Sequence, residues 1–318
     1  MEKLRFDSKV AVITGAGRGL GREYALLLAS RGAHVVVNDF GVAISDTDDT
    51  GEAPPTNPAD DVVAEIRAAG GEAVADHNTV ATTEGGEAIV AAALDAFGRL
   101  DICVNNAGQV RMQPFSTFPD EHIATVISTQ LLGTLNVGRA AWRAMEANGG
   151  GRIINVSSGA GYGGFERSSV YSMAKAGVIG LTIAMAAEGA PLGINVNVIA
   201  PYAKTRLGTG FGPIPWSEEL AEWLHPRKVA PLIAWLAHES CDATGKCYAV
   251  GAGHVAQVAF AVNEGFTDRE LTPESLAAHA DELAVAPSFL TGSPQSPLMV
   301  NLLSGFGAGD SSTGDPAR

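Results

Sequence analysis

The stretch Val10-Ala11-Val12-Ile13-Thr14-Gly15-Ala16-Gly17-Arg18-Gly19-Leu20-Gly21 decides the fold. Its first four residues form an apolar, β-branched run suited to a strand covered on both faces. The glycines Gly15, Gly19 and Gly21 let the backbone turn tightly and approach a pyrophosphate, with Arg18 and Leu20 in the same loop. Arg22 to Arg31 reads as the helix whose N-terminus receives that group. Ala33 to Asn38 is a second strand, closed by Asp39, whose carboxylate suits an adenosine ribose diol. Glycine turns also serve purely structural ends, so the weight lies in the order strand, turn, helix, strand, acid. Asp39 repels a 2′-phosphate and favours NAD, whereas Arg18 favours NADP. Asp39 faces the group that differs, so the expected cofactor is NAD.

Further along, Gly41 to Pro58 reads as an extended surface loop rich in Asp, Thr, Gly and Pro. Ala59 to Ala69 is a helix and Glu72 to Asp76 a third strand, followed by Asn78-Thr79-Val80 and a helix over 84–97. Leu100 to Val104 is a fourth strand, ending in Asn105-Asn106-Ala107-Gly108, small and amide residues that suit the edge of a cofactor crevice. A helix over 122–137 carries Gln130, and Ile153 to Val156 is the next strand. It feeds Ser157-Ser158-Gly159 and then Tyr171-Ser172-Met173-Ala174-Lys175. Tyr171 and Lys175 share a helix face, and Ser158 lies on the loop that feeds it. The three residues suit acid/base work on an alcohol or ketone. Alone, the spacing is common, and Tyr171 could equally be a packed aromatic beside a solvated Lys175. Further strands are expected over 194–199 and 247–250, with a helix over 229–238.

Strands alternating with helices give an α/β class: a single-domain, Rossmann-type, doubly wound parallel sheet with helices on both faces and a C-terminal extension. Residues 1–253 make the cofactor-binding and catalytic domain, with a lid at about 202–228 bearing Phe211, Trp216 and Trp223. Residues 254–318 make the extension, whose last stretch, Gly305 to Arg318, has a disordered composition. The net charge of −14 argues against nucleic acid or an anionic membrane as partner. Cys103, Cys241 and Cys247 lack metal-like spacing, so no metal site is expected and reduced thiols fit a reducing compartment. The N-terminus has no signal-like apolar stretch, and Glu188 and Pro191 interrupt the one long apolar region. A cytoplasmic location is expected.

Thr14-Gly15 through Gly21, Asn105-Asn106-Ala107-Gly108, Ser158 and Tyr171-x-x-x-Lys175 together resemble the short-chain dehydrogenase/reductase family, over roughly residues 5–255. Leu4-Arg5-Phe6-Asp7, Val36-Val37-Asn38-Asp39, Val229-Ala230-Pro231-Leu232, His238-Glu239-Ser240-Cys241 and Val250-Gly251-Ala252-Gly253 are similar to one branch. That branch is the (3R)-hydroxyacyl-CoA dehydrogenases of peroxisomal multifunctional enzymes type 2, also labelled 17β-hydroxysteroid dehydrogenase type 4. The chain looks like a stand-alone bacterial version. Three positions depart from the family pattern. Gln130 stands where the family has a relay Asn, and Asn78 where an acid often contacts adenine. Pro201-Tyr202 replaces Pro-Gly, ahead of Ala203 and Thr205 at the nicotinamide.

The resemblance implies that Tyr171 is the acid/base, tuned by Lys175, with Ser158 on the substrate oxygen and Gln130 in a proton relay. It places Thr79, Asn106, Ala107, Gly108 and Pro201 on NAD, with Tyr171 and Lys175. The implied reaction is NAD-dependent oxidation of a (3R)-hydroxyacyl-CoA, including esters with steroid side chains. Arg111, Lys204, Arg206, Arg227 and Lys228 are candidate partners for CoA phosphates. A free hydroxysteroid or another secondary alcohol is the alternative substrate, and a non-catalytic NAD-binding sensor, or a structural subunit, the alternative class. The family association implies a homodimer or homotetramer.

Overall fold

The computed structural model describes residues 3–41, 56–205, 218–261, 263 and 265–284. The middle of the loop expected over 41–58, the lid residues Phe211 and Trp216, Arg206 and the tail over 305–318 lie outside them. By backbone contacts the chain divides into two compact units, Met1–Gln257 and Val258–Arg318.

Strand β1 (Val10–Thr14) sits inside an eight-stranded sheet of order β3-β2-β1-β4-β5-β6-β7-β8. Its neighbours are β2 (His34–Asn38) and β4 (Ile102–Asn105), both parallel to it. Alternate side chains explain its continuous apolar run. Ala11 and Ile13 enter the core on one face, with Val35 and Val37, while Val10 and Val12 enter the other, with Val36. Strands β3 (Ala73–Asp76), β5 (Gly151–Val156), β6 (Ile194–Pro201) and β7 (Cys247–Gly251) complete the parallel part. The chain moves outward from β1 through β2 to β3, then returns to place β4 on the other side of β1. A crevice therefore opens between β1 and β4 at their carboxyl ends.

Helices α1 (Gly19–Ser30) and α2 (Pro58–Ala68) cover one face; α3 (Thr83–Phe97) covers the other. Local chemistry sets their ends. Asn57 caps α2 by accepting from the Ala59 N–H at 2.9 Å, with Pro58 next in line, and Thr82 caps α3 through Gly85 at 3.1 Å. Gly98, at φ +76°, stops α3 in the left-handed conformation.

The helix expected over 122–137 is divided. Here α4 (Asp120–Val126) passes into a π-helical turn, Ile127–Leu132, and then into α5 (Gly133–Ala147), which packs beside α3. A short α6 (Ala160–Gly163) precedes α7 (Ser169–Gly189). Contrary to the sequence expectation, the helical stretch Ser169–Leu192 has the length and composition of a bilayer span. In the fold it is a core helix, burying Val178, Ile179 and Ala186 against the sheet. Helices α8 (Glu218–Trp223) and α9 (Ala230–Ala237) follow.

The sequence reading gave seven strands. The eighth, β8 (His254–Val258), follows Ala252 and Gly253, both at positive φ, the turn that folds a strand back antiparallel on its predecessor. The second unit contains α10 (Pro273–Ala278), opened by a reciprocal Thr272–Ser275 capping box, and α11 (Ala280–Leu283). All three cysteines are free and buried.

Candidate active site

The carboxyl ends of β1, β2, β4, β5 and β6 border one cavity of about 790 Å³. Gly15 and Gly19 lie on its wall at φ +61° and +54°, conformations that a side chain would strain. A Cβ on Gly15 would stand 2.8 Å from the Ala107 Cα, so bare backbone lets the two loops touch. Thr14 locks them. Its Oγ1 accepts from the Asn106 and Ala107 N–H groups at 3.0 Å each. The Asn106 Nδ2 donates back to the Thr14 and Gly15 carbonyls at 2.9 and 3.0 Å. Thr14→Val keeps the shape but strands two part-buried donors. It is expected to lower unfolding free energy by about 1–3 kcal/mol, read from urea titration.

Arg18, Leu20, Asn106, Ala107 and Gly108 also line the cavity; Gly21 does not. Gly21 is buried in α1, where a Cβ would lie 2.6 Å from the Asn106 Nδ2. Its lack of a side chain serves close packing of helix on strand.

Asp39 stands at the cavity wall with both oxygens engaged. Oδ2 accepts from the Gly17 N–H at 3.0 Å and Oδ1 from the Gly41 N–H at 2.9 Å. Behind it, buried Asp76 is a residue the sequence reading missed. Its carboxylate accepts from the Asn38 Nδ2 at 2.7 Å, the Asn78 N–H at 3.0 Å and the Asn78 Nδ2 at 2.7 Å. With its amide nitrogen bound there, Asn78 keeps its side-chain oxygen for another donor. Thr79 lines the wall beside it.

Ser158, Tyr171, Lys175 and Gln130 share this cavity. Tyr171 and Lys175, one turn apart on α7, are both buried. The Lys175 Nζ lies 5.8 Å from the Tyr171 ring centre and donates to the Val156 carbonyl at 2.7 Å. Desolvation pushes the Tyr171 phenol up to about 12, while the hydrogen bond from Ser158 draws it down. Desolvation also pushes Lys175 down to about 7. Ser157, read as an ordinary strand-end residue, donates its hydroxyl to the Lys175 carbonyl at 2.8 Å and fixes that helical turn.

Gln130 falls in the π turn. Its Nε2 donates to the Gln109 carbonyl at 2.5 Å, and its backbone carbonyl accepts from the Thr134 hydroxyl at 2.9 Å. The amide rests on Gly108, where a Cβ would lie 2.5 Å from either terminal atom. Its Oε1 is buried without a hydrogen-bond partner among the described residues.

Pro201, Ala203 and Thr205 line the cavity after β6. Met112, Phe165 and Leu224 add apolar wall that the sequence reading did not single out, because the folded loops bring them in from separate segments. Trp223, read above as a lid residue, is exposed and off the wall. Arg111, Lys204, Arg227 and Lys228 are also absent from the wall, and Arg227 pairs with Glu222. No cluster of potential metal ligands occurs among the described residues.

Comparisons with known proteins agree with this architecture. Residues 9–209 match the short chain dehydrogenase family. The peroxisomal multifunctional enzyme type 2 of Mus musculus is 44% identical over 278 residues, 86% of this chain and 36% of that protein. A short-chain type dehydrogenase/reductase of Mycobacterium tuberculosis is 41% identical over 279 residues, 87% of this chain and 94% of that one. The crystal structure of a short chain dehydrogenase from Mycobacterium avium superposes with TM-score 0.76 and 36% identity, covering 91% of this chain and 99% of that one. Full-length peroxisomal multifunctional enzyme type 2 from Drosophila melanogaster gives 0.77 and 33%, covering 96% of this chain and 50% of that one. The chain thus spans about a third of the mouse enzyme's length. It belongs to the short-chain dehydrogenase family, whose members bind NAD(P), and it is an oxidoreductase.

Proposed function

We propose that the protein oxidises the 3-hydroxyl of a (3R)-hydroxyacyl-CoA to the 3-keto form with NAD. The observation that carries this reading is the convergence of Ser158, Tyr171 and Lys175 on the cavity that also holds the glycine turn and Asp39. The residues present fit a dinucleotide. No side chain caps the α1 N-terminus, so its N–H groups are free for a pyrophosphate, and a Cβ on Gly19 would meet nothing closer than 3.8 Å. Gly15, Arg18, Gly19 and Leu20 would hold the phosphates, Asp39 the adenosine ribose, and Asn78 and Thr79 the adenine side. Asn106, Ala107, Gly108, Pro201, Ala203 and Thr205 would flank the nicotinamide, together with Tyr171 and Lys175.

When bound, NAD supplies the hydride acceptor. The chain's own part is placement and proton transfer. The Ser158 hydroxyl orients the substrate oxygen, and Tyr171 takes its proton. Lys175, one turn away and pushed down to about 7 by burial, carries positive charge on part of the molecules near neutral pH, and that charge favours the phenolate. Gln130 holds the Gln109 loop against Gly108, on the same wall.

The reading of NAD over NADP rests on Asp39, which lines the cavity and is held in place by two N–H groups, while Arg18, the side chain that favours NADP, lines the same cavity. Asp39→Asn removes the charge and keeps a side-chain acceptor. It is expected to narrow the NAD⁺:NADP⁺ ratio of kcat/KM by about tenfold, and equal use of both cofactors by the wild type would refute the assignment.

A free hydroxysteroid or other secondary alcohol is the second reading, favoured by the lack of Arg111, Lys204, Arg227 and Lys228 from the wall. Turnover of a (3R)-hydroxyacyl-CoA measured beside a free hydroxysteroid, each with NAD⁺, separates the two. Preference for the steroid would overturn the CoA reading.

A further inference from the structure

The last turn of β6 carries a feature that the proton-transfer residues do not use. Tyr202 follows Pro201, and its N–H donates to the Val250 carbonyl at 2.7 Å, which fixes the backbone. Across it, Gly251 leaves room, since a Cβ there would lie 2.8 Å from the Tyr202 Cβ. The phenol crosses to the loop after β5. A Cβ on Gly159 would stand 2.5 Å from the Tyr202 Oη, so this oxygen lies against the residue adjoining Ser158. Tyr202 borders the same cavity as Ser158 and Tyr171. Among the described residues, its hydroxyl has one partner, the Tyr162 Oη at 3.1 Å.

Two hydroxyls that share one hydrogen bond use one proton between them, and the accepting oxygen keeps its own. Either hydroxyl can donate across this pair, and with Tyr162 as donor the Tyr202 oxygen accepts. That leaves the Tyr202 proton to point into the cavity, strengthened as a donor because its oxygen already accepts.

We propose that Tyr202, polarised by Tyr162, recognises a carbonyl oxygen one methylene beyond the reacting carbinol, which selects β-hydroxy carbonyl compounds over simple secondary alcohols. This rests on the dehydrogenase reading above and deepens it, for a thioester is one such carbonyl. A donor is the right group: a ketone, ester or thioester oxygen can only accept. Glu166 also lines the cavity and adds formal negative charge to its wall, which disfavours a free carboxylate within it. The recognised group is therefore a neutral carbonyl.

The test measures kcat/KM with NAD⁺ for ethyl (R)-3-hydroxybutyrate, a (3R)-hydroxyacyl-CoA and a secondary alcohol of matched length that lacks the carbonyl. Tyr202→Phe is expected to lose roughly tenfold on the hydroxy ester, mainly in KM, and less than about twofold on the plain alcohol. Tyr162→Phe keeps the donor but not its polarisation, and is expected to lose about threefold on the ester alone. Equal losses on ester and alcohol, no loss on the ester, or no wild-type turnover of the ester would each overturn the role of Tyr202. Wild-type turnover of the ester without that of the CoA thioester would overturn the CoA reading and leave Tyr202 in place. The reverse pattern, a good CoA substrate indifferent to Tyr202→Phe, would do the opposite.

Discussion

Tyr171→Phe is expected to lower turnover by about 10²-fold or more, with NAD affinity within about twofold of wild type. The substitution removes one oxygen from a buried ring and leaves the glycine turn, Asp39 and the Asn106 tie untouched. The phenol is the only group in the Ser158–Tyr171–Lys175 cluster placed to exchange a proton while hydrogen-bonded to Ser158. Burial outweighs the Ser158 hydrogen bond and leaves it pushed up to about 12, too high for efficient proton removal at neutral pH without a further positive charge beside it. Steady-state turnover and cofactor titration by fluorescence check both halves. Near-wild-type turnover would remove Tyr171 from the mechanism.

Lys175→Met is expected to cost a similar 10²-fold or more in turnover and to change the pH dependence of folding. In the folded protein Lys175 titrates at about 7, against 10.5 for an unhindered lysine, because burial penalises the ammonium. Between those two values the unfolded chain binds a proton that the folded chain does not. Stability therefore rises with pH through that window, and the full penalty applies below about 7. A single such site contributes a slope approaching about 1.4 kcal/mol per pH unit. Denaturant titrations at pH 7 and 9.5 should show this rise in the wild type and its loss in Lys175→Met. The higher value stays below the range where Tyr171 ionises. Parallel slopes in the two proteins would show that Lys175 is charged in the fold at neutral pH.

The chain's elements were legible where local chemistry and periodicity agree. Val10–Thr14, its glycine turn and α1 announce themselves, and the whole parallel order follows once β1 is placed at the switch. Ser158, Tyr171 and Lys175 were legible only because the glycine turn and Asn105-Asn106-Ala107-Gly108 precede them in order; their helical spacing alone is common. Contacts between distant segments were not. The Tyr162–Tyr202 pair spans 40 residues, and the Asp76–Asn38 bond spans 38. Each is an ordinary polar residue in its own segment until the sheet assembles. Strand β8 was hidden because an exposed edge strand needs little apolar alternation. The break between α4 and α5 was hidden because a π turn keeps the composition of an α-helix.

That π turn has a consequence for how such a site can vary. Each of its turns holds about one residue more than an α turn, so the helix halves on either side are phased independently. Downstream, α5 is clamped to its neighbours by the Asn136 amide on the Val80 carbonyl at 3.0 Å and the Arg143–Glu87 pair at 3.1 Å. Upstream, α4 carries only a short stretch of buried surface. A one-residue insertion or deletion within 127–132 would rotate α4 and the Gln109–Met112 rim it adjoins, and would also move Gln130 and the Ile127 and Leu131 side chains that cluster with Val170 and Tyr171 of α7. A length change at this single helical turn therefore reaches the substrate rim and the proton-transfer residues together.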